Sequence, residues 1–133
     1  MIEKYFLQIE HIIQEFSNIR SLSVKKKIYN VRQGYISGSI VFENGYRLEF
    51  AEVKNTDVIP KIKYRYQYMN ENMEPIFRYD NAPHHSEIKT FPHHKHELDG
   101  VTASNEPSFS DVLTEIALIQ RKSLTIDQKG DRK

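Results

Sequence analysis

The sequence predicts an α+β domain, in which a curved antiparallel sheet of about five strands is flanked by an N-terminal and a C-terminal helix. Near both chain ends, apolar residues recur every three or four positions, which is the spacing of a helix with one buried side. Between them, shorter runs alternate apolar and polar residues, which is typical of strands. The 133 residues suit one domain at 1–122, followed by a polar tail at 123–133 that we expect to be disordered.

The N-terminal helix is predicted over residues 1–19. Ile2, Phe6 and Ile9 begin an apolar stripe that continues along one side of the helix. His11 lies on the opposite, polar side, where we expect it to be solvated.

Three strands are expected in the glycine-punctuated region that follows: residues 28–32, 35–42 and 46–53. The Asn44-Gly45 pair favours a two-residue type I′ hairpin between the last two, because both central residues of that turn take positive φ. We therefore expect residues 41–42 to pair with residues 46–47.

The clearest strand is predicted at residues 61–69, where tyrosines alternate with basic residues. Residues 76–80 should form its partner, with Phe77 and Tyr79 on the aromatic side and Arg78 and Asp80 on the basic side. The hairpin then has one aromatic face, and one basic face that includes Lys61, Lys63, Arg65 and Arg78. A slip of one residue in the pairing would move Arg78 to the other face.

Proline residues interrupt the chain after this hairpin. Pro83 and Pro92 bound a stretch that we expect to be loop or edge backbone, and residues 99–105 form a polar connection. A second amphipathic helix should begin after Pro107, with Ser108 and Asp111 as a capping box.

The composition excludes several classes of protein. The net charge is +1, from 19 Lys plus Arg against 18 Asp plus Glu, so any anion-binding site must be local. The lack of cysteine excludes disulfides, thiol catalysis and cysteine-based zinc sites. No apolar run approaches the length of a membrane span and no signal sequence is recognisable, so we expect a soluble, cytoplasmic protein without a membrane partner.

Chemically active side chains concentrate in residues 64–96. Imidazole exchanges protons near neutral pH, and we expect the two proline-bracketed histidine loops to fold over the basic side of the hairpin as one pocket. The candidate catalytic residues are His84, His85, His93, His94, His96 and Asp80. The candidate substrate-binding residues are Arg65, Arg78, Lys95, Tyr64 and Tyr66.

These residue types suit cleavage of RNA without a metal or any other cofactor. The reaction needs a base for the 2′-hydroxyl, an acid for the leaving 5′-oxygen, and cations beside the phosphorus as its charge grows. Histidines suit the first two tasks and the basic residues the third. The tyrosines can stack a base, and Asp80 can orient an imidazole.

Two other functions fit the same residues. His94 and His96 point the same way on extended backbone and could chelate a metal with His84 or His85 and Asp80, as in a metal-dependent hydrolase. The tyrosine and arginine side chains could instead form the docking surface of a non-enzymatic interaction protein. Any one histidine taken alone is more often an exposed polar residue.

Three contiguous segments resemble a known family: residues 64–68 (YRYQY), 77–85 (FRYDNAPHH) and 90–96 (TFPHHKH). With the helix after Pro107, they are similar to the TumE family of toxins over residues 24–119. The resemblance implies the toxin of a type II toxin–antitoxin module, neutralised by a tightly bound helix-turn-helix antitoxin that carries the DNA-binding function. It implies no catalytic residues, and a homo-oligomer is left open.

Overall fold

An antiparallel sheet of seven strands is the centre of this computed structural model, which describes the backbone of residues 1–131 and the side chains of residues 1–122. Each strand pairs with the next along the chain, so the order across the sheet is β1 to β7. The elements are α1 (Ile2–Glu15), β1 (Ile19–Ile28), β2 (Gln33–Phe42), β3 (Arg47–Asn55), β4 (Lys63–Met69), β5 (Pro75–Asp80), β6 (His94–Glu97), β7 (Gly100–Ala103) and α2 (Phe109–Asp131). The predicted α+β class is confirmed. The disordered tail predicted at 123–133 lies outside the described side chains and stays a prediction.

The strand count is higher than predicted because polar and very short strands escaped the pattern. The predicted strand at 28–32 is wrong: Ile28 is the last residue of β1, and residues 29–32 form a turn, in which Asn30 Oδ1 accepts the N–H groups of Arg32 and Gln33, each at 2.9 Å. β1 occupies the preceding residues. As an edge strand it is mostly exposed on both faces, so its sequence lacks alternation. β6 and β7 have four residues each, too few to show a period.

The hairpin between β2 and β3 has the predicted strand pairing but a different turn. Of the four residues between the two strands, only Gly45 has a positive φ, at 86°. The N–H of Gly45 donates to the Phe42 carbonyl at 2.9 Å, and Asn44 Oδ1 accepts the N–H of Tyr46 at 2.9 Å. The loop is therefore a type I turn followed by a left-handed glycine, and the predicted type I′ turn is wrong.

Both helices pack on one side of the sheet, which we call the helix face. α1 buries the predicted stripe of Ile2, Phe6 and Ile9 there. α2 begins at the predicted capping box, in which Ser108 and Asp111 exchange two hydrogen bonds of 3.0 Å. The strand residues in this core include Ile36, Ile40, Phe42, Leu48, Phe50, Tyr64, Tyr66, Tyr68 and Phe77.

The other side of the sheet carries no helix among the described residues, and we call it the open face. Gln67 pairs with Arg78 across β4 and β5, so Arg78 lies on the same side as Arg65, as predicted. Lys61 was predicted on this side as well, but it is buried on the helix face, where its Nζ donates to the Pro107 carbonyl at 2.8 Å. The alternation starts only at Lys63, the first residue of β4.

Candidate active site

Strand pairing brings the second histidine segment onto the basic side of the β4–β5 hairpin. On the open face, His94 of β6 pairs with Asp80 of β5, and His96 pairs with Arg78. Residues two apart in a strand share a face, so all four side chains meet at one place. These four residues come from two segments separated by a loop of thirteen residues, 81–93.

Asp80 is the hub of this site. Its buried carboxylate accepts hydrogen bonds from Arg78 Nε at 2.9 Å and from the N–H of Ala82 at 3.0 Å, and its Oδ1 lies 2.9 Å from His94 Nε2. The other nitrogen of His94, Nδ1, lies 2.9 Å from the carbonyl oxygen of Pro92. The ring of His94 is thus fixed at both nitrogens, and its side chain is only 2 % exposed.

His96 lies beside this hub and reaches solvent. Arg78 Nη2 is 2.9 Å from His96 Nε2, and because a guanidinium can only donate, Nε2 accepts and the ring proton lies on Nδ1. Burial lowers the pKa of His96 below its usual value of 6.5, and the positive charge of Arg78 lowers it further. His96 is therefore neutral at neutral pH, which is the state of a proton acceptor.

His85 completes the site from the loop between β5 and β6. Its φ of 59° is a left-handed conformation that non-glycine residues rarely adopt, and neighbouring structure must hold it there. Its ring centroid lies 5.2 Å from that of His94 and 5.7 Å from that of His96. We call the three rings of His85, His94 and His96 the imidazole cluster.

The imidazole cluster could also hold a metal ion. Each ring offers one nitrogen, and the three nitrogens lie within 4.8 Å of one another. Zinc–nitrogen bonds of about 2.0–2.1 Å in a tetrahedral site require the nitrogens to be about 3.4 Å apart, so the rings would have to move together. Asp80, next to His94, would then support a ligand from behind.

Several predicted site residues lie elsewhere. His84 is exposed in the loop after β5. His93 stacks on Tyr64, and its Nδ1 lies 2.8 Å from the tyrosine hydroxyl oxygen. Lys95 points to the helix face, opposite to its neighbours in β6, and its Nζ donates to Glu115 Oε2 at 2.7 Å.

The tyrosines of β4 are also separated from the imidazole cluster. Tyr64 and Tyr66 are 2 % and 0 % exposed, and Tyr66 donates a hydrogen bond of 2.5 Å to the buried carboxylate of Glu52. They pack the core and offer no ring face to a nucleobase. The tyrosines and arginines of this hairpin therefore share no docking surface.

Arg65 is the predicted cation that stays available. It lies on the open face across from Asp80 and is exposed, and its side chain makes no hydrogen bond or ion pair with any described residue. Tyr35 of β2 also lies on the open face and was not identified from the sequence. Its position in the alternating run 35–41 was a usable signal, but only the pairing of β2, β3 and β4 shows that it faces the same side as Arg65.

None of the described helices has the length and apolar character needed to cross a bilayer. Among protein families, the model described as "Toxin TumE" matches residues 9–122, which is most of the chain and includes all seven strands. No curated protein and no solved structure is significantly similar to the chain. The family match covers every residue of the imidazole cluster together with Arg78 and Asp80. The chain therefore belongs to the TumE family of toxins, which are the harmful components of toxin–antitoxin systems.

Proposed function

We propose that this toxin cleaves RNA at the imidazole cluster without a metal ion. The observation that carries the proposal is the contact of 2.9 Å between Arg78 and His96. It places a fixed cation and a proton acceptor side by side on an accessible face of the sheet. Cleavage of RNA at a phosphodiester needs this pair, because a base must act beside the phosphorus while negative charge grows there.

His96 is the proposed base. The guanidinium of Arg78 donates two hydrogen bonds to the incoming phosphate and so releases His96 Nε2, which then removes the proton of the 2′-hydroxyl. The 2′-oxygen then attacks the phosphorus, and the bond from phosphorus to the 5′-oxygen breaks. The products are a 2′,3′-cyclic phosphate and a 5′-hydroxyl end.

His85 is the proposed acid, which gives its proton to the leaving 5′-oxygen. Its ring is half-buried at the mouth of the cluster, 5.7 Å from that of His96, so one phosphodiester can reach both. His94 and Asp80 are positioning residues: they are buried and hold Arg78 and the neighbouring rings in place. Arg65 adds a second cation on the same face.

The test is cleavage of a labelled RNA by the purified toxin in the presence of EDTA. His96→Gln should reduce the rate about 10²- to 10⁴-fold, which is the range for loss of a general base. The matched control is His11→Gln on the exposed surface of α1, which should keep the wild-type rate. Mass spectrometry should show 2′,3′-cyclic phosphate ends. Equal rates for His96→Gln and the wild type would exclude the proposed base.

A metal-dependent hydrolase is the second candidate, because three imidazole nitrogens lie within 4.8 Å of one another. EDTA separates the two candidates. A metal enzyme loses its activity in EDTA and regains it with added zinc, whereas the proposed reaction continues unchanged.

We further propose that the neutralising partner is a helix-turn-helix antitoxin and that both proteins act in the cytoplasm, where RNA is the available target. The resemblance of residues 64–68, 77–85 and 90–96 to TumE toxins supports this partner. The net charge of +1 is low for a DNA-binding protein, so we assign DNA binding to the antitoxin. Expressing the toxin with the product of the adjacent gene should yield a complex that no longer cleaves RNA. A complex with full cleavage activity would contradict this inhibition.

A further inference from the structure

A row of open-face residues leads away from the imidazole cluster across the sheet. The pairing of consecutive strands aligns the following residues: Lys25 of β1, Ser37 of β2, Ala51 of β3, Arg65 of β4, Asp80 of β5 and His94 of β6. Five strand spacings of about 4.8 Å give the row a length of about 24 Å.

Small side chains in the middle of this row leave a groove. One cavity of about 300 Å³ is lined by Lys25, Ser37, Ala51 and Arg65, among others. A second cavity of about 420 Å³ is lined by residues that include Tyr35, Ala51 and Arg65. Tyr35, Ala51 and Arg65 line both cavities. The two cavities therefore form one continuous depression, which we call the basic groove.

The charge of the basic groove suits an anion. Lys25, Lys63 and Arg65 are exposed, and the side chain of none of them makes a hydrogen bond or ion pair with any described residue. The acidic residues that line the groove are Glu49 and Glu52. Each carboxylate already accepts a hydrogen bond, Glu49 from Ser39 at 2.9 Å and Glu52 from Tyr66 at 2.5 Å. Three cations are thus available to phosphate groups.

The groove also offers aromatic ring faces. Tyr35 is half-buried and Tyr29 is 52 % exposed, and both line the cavity that contains Lys63 and Arg65. Neither tyrosine hydroxyl has a hydrogen-bond partner among the described residues. Aromatic rings between cations are the arrangement that holds single-stranded nucleic acid, since bases stack on the rings and phosphates contact the charges.

We propose that the basic groove binds single-stranded RNA and guides it to the imidazole cluster. This assignment rests on the proposed function and adds its substrate class. The row from Lys25 to His94, with its length of about 24 Å, suits a site of about four nucleotides that spans the groove and the imidazole cluster, at the lower end of the range for single-strand grooves. Paired bases in a duplex cannot stack on Tyr35, so the groove selects unpaired RNA.

The test uses a fluorescent 2′-O-methyl oligonucleotide, whose blocked 2′-oxygen cannot react, and measures its affinity for the full chain by anisotropy at several salt concentrations. The wild type should bind the single strand at least about 10-fold more tightly than the same sequence in a duplex. Tyr35→Leu should weaken binding about 10-fold, within the range for loss of one stacked base, whereas Tyr35→Phe should bind normally.

The lysines of β1 provide a matched pair for the electrostatic part. Lys25→Gln should reduce the slope of log affinity against log salt by about 0.7, the value for one phosphate contact with a single strand. Lys26→Gln should leave the slope unchanged, because Lys26 points to the helix face and pairs with Glu10. Equal affinities and slopes for the wild type, Tyr35→Leu and Lys25→Gln would overturn the proposed groove.

The two proposals fail separately. If groove variants weaken binding but the wild type never cleaves RNA, the basic groove is supported as a binding site and the proposed cleavage is refuted. If the wild type cleaves RNA and the groove variants bind and cleave normally, the reaction stands and the groove falls.

Discussion

Replacing Asp80 with asparagine removes the negative charge at the centre of the site but keeps the shape of the side chain. Asparagine keeps the oxygen that accepts the N–H of Ala82 and contacts His94 Nε2, but its NH₂ group takes the place of Oδ2 and would face the Nε–H of Arg78. One charge-assisted hydrogen bond inside the protein is therefore replaced by a contact between two donors. Such a bond contributes about 1.5–3 kcal/mol, so we expect Asp80→Asn to lower the free energy of unfolding by about 2 kcal/mol.

The same substitution should impair the proposed cleavage of RNA. Without the second carboxylate oxygen, Arg78 loses the partner that fixes it, and a displacement of about 1 Å at a reacting group costs about 100-fold in rate. Denaturation with urea measures the first effect, and cleavage of a labelled RNA measures the second.

Asp57→Asn is the matched control. Asp57 forms an ion pair of 2.8 Å with Arg32, but the two side chains are 50 % and 63 % exposed. Its loss should change the free energy of unfolding by no more than about 1 kcal/mol and leave cleavage intact. If Asp80→Asn were as stable and as active as this control, the carboxylate would not be the organising group of the site.

Three further outcomes follow from burial and packing. Burial raises the pKa of five tyrosines above 10: Tyr5, Tyr64, Tyr66, Tyr68 and Tyr79. The folded state therefore keeps phenol protons that the unfolded chain releases, and the free energy of unfolding should fall as the pH rises above about 10. The lowered pKa of His96 acts in the opposite direction. As the pH drops below about 6.5, the imidazole of His96 is protonated in the unfolded chain before it is protonated in the folded protein, so the free energy of unfolding should fall. NMR titration of Arg78→Gln should show a higher pKa for His96 than in the wild type, because the positive charge of Arg78 is gone. Gly38→Ala should cost about 1–3 kcal/mol in urea denaturation, because its Cβ would lie 2.6 Å from both Phe50 Cζ and the backbone oxygen of Ser23.

Each of these three has a result that would contradict it. Near-ultraviolet absorbance showing all tyrosines ionised at the ordinary pKa, in protein that is still folded, would contradict their burial. An unchanged pKa of His96 in Arg78→Gln would show that the guanidinium does not act on that ring. The control for Gly38→Ala is Ser37→Ala on the open face, which should change stability by less than about 0.5 kcal/mol. Equal stability of these two variants would mean that the ring of Phe50 moves aside without lowering the free energy of unfolding.

Local periodicity predicted the two faces of β4 because it depends only on the backbone. Side chains alternate along any extended strand, so the burial of Tyr64 and Tyr66 and the exposure of Arg65 follow from the sequence once the segment is recognised as a strand. The direction of Lys61 does not follow, because it lies before β4 begins and turns inward to Pro107.

The pattern suggested Asp80 as a partner of His94 in a metal site, but it could not fix the contact between them. The contact depends on the register between β5 and β6, which is set by the intervening loop, and β6 is too short to show a period of its own. The position of His85 depends on a left-handed backbone conformation that its residue type does not favour. Composition identified the segment that holds the site, but long-range pairing decided that His85, His94 and His96 belong to it and His93 does not.

The order of the strands has a consequence for when the proposed active site can form during synthesis. Every strand joins its immediate predecessor, so the sheet can grow as the chain leaves the ribosome, from β1 onwards. His94 and His96 lie on the sixth of seven strands, and they meet Arg78 only after β5 is in place. A growing chain that ends before residue 94 therefore carries Arg78, Asp80 and His85 but lacks His94 and His96, so the proposed active site is completed only near the end of translation.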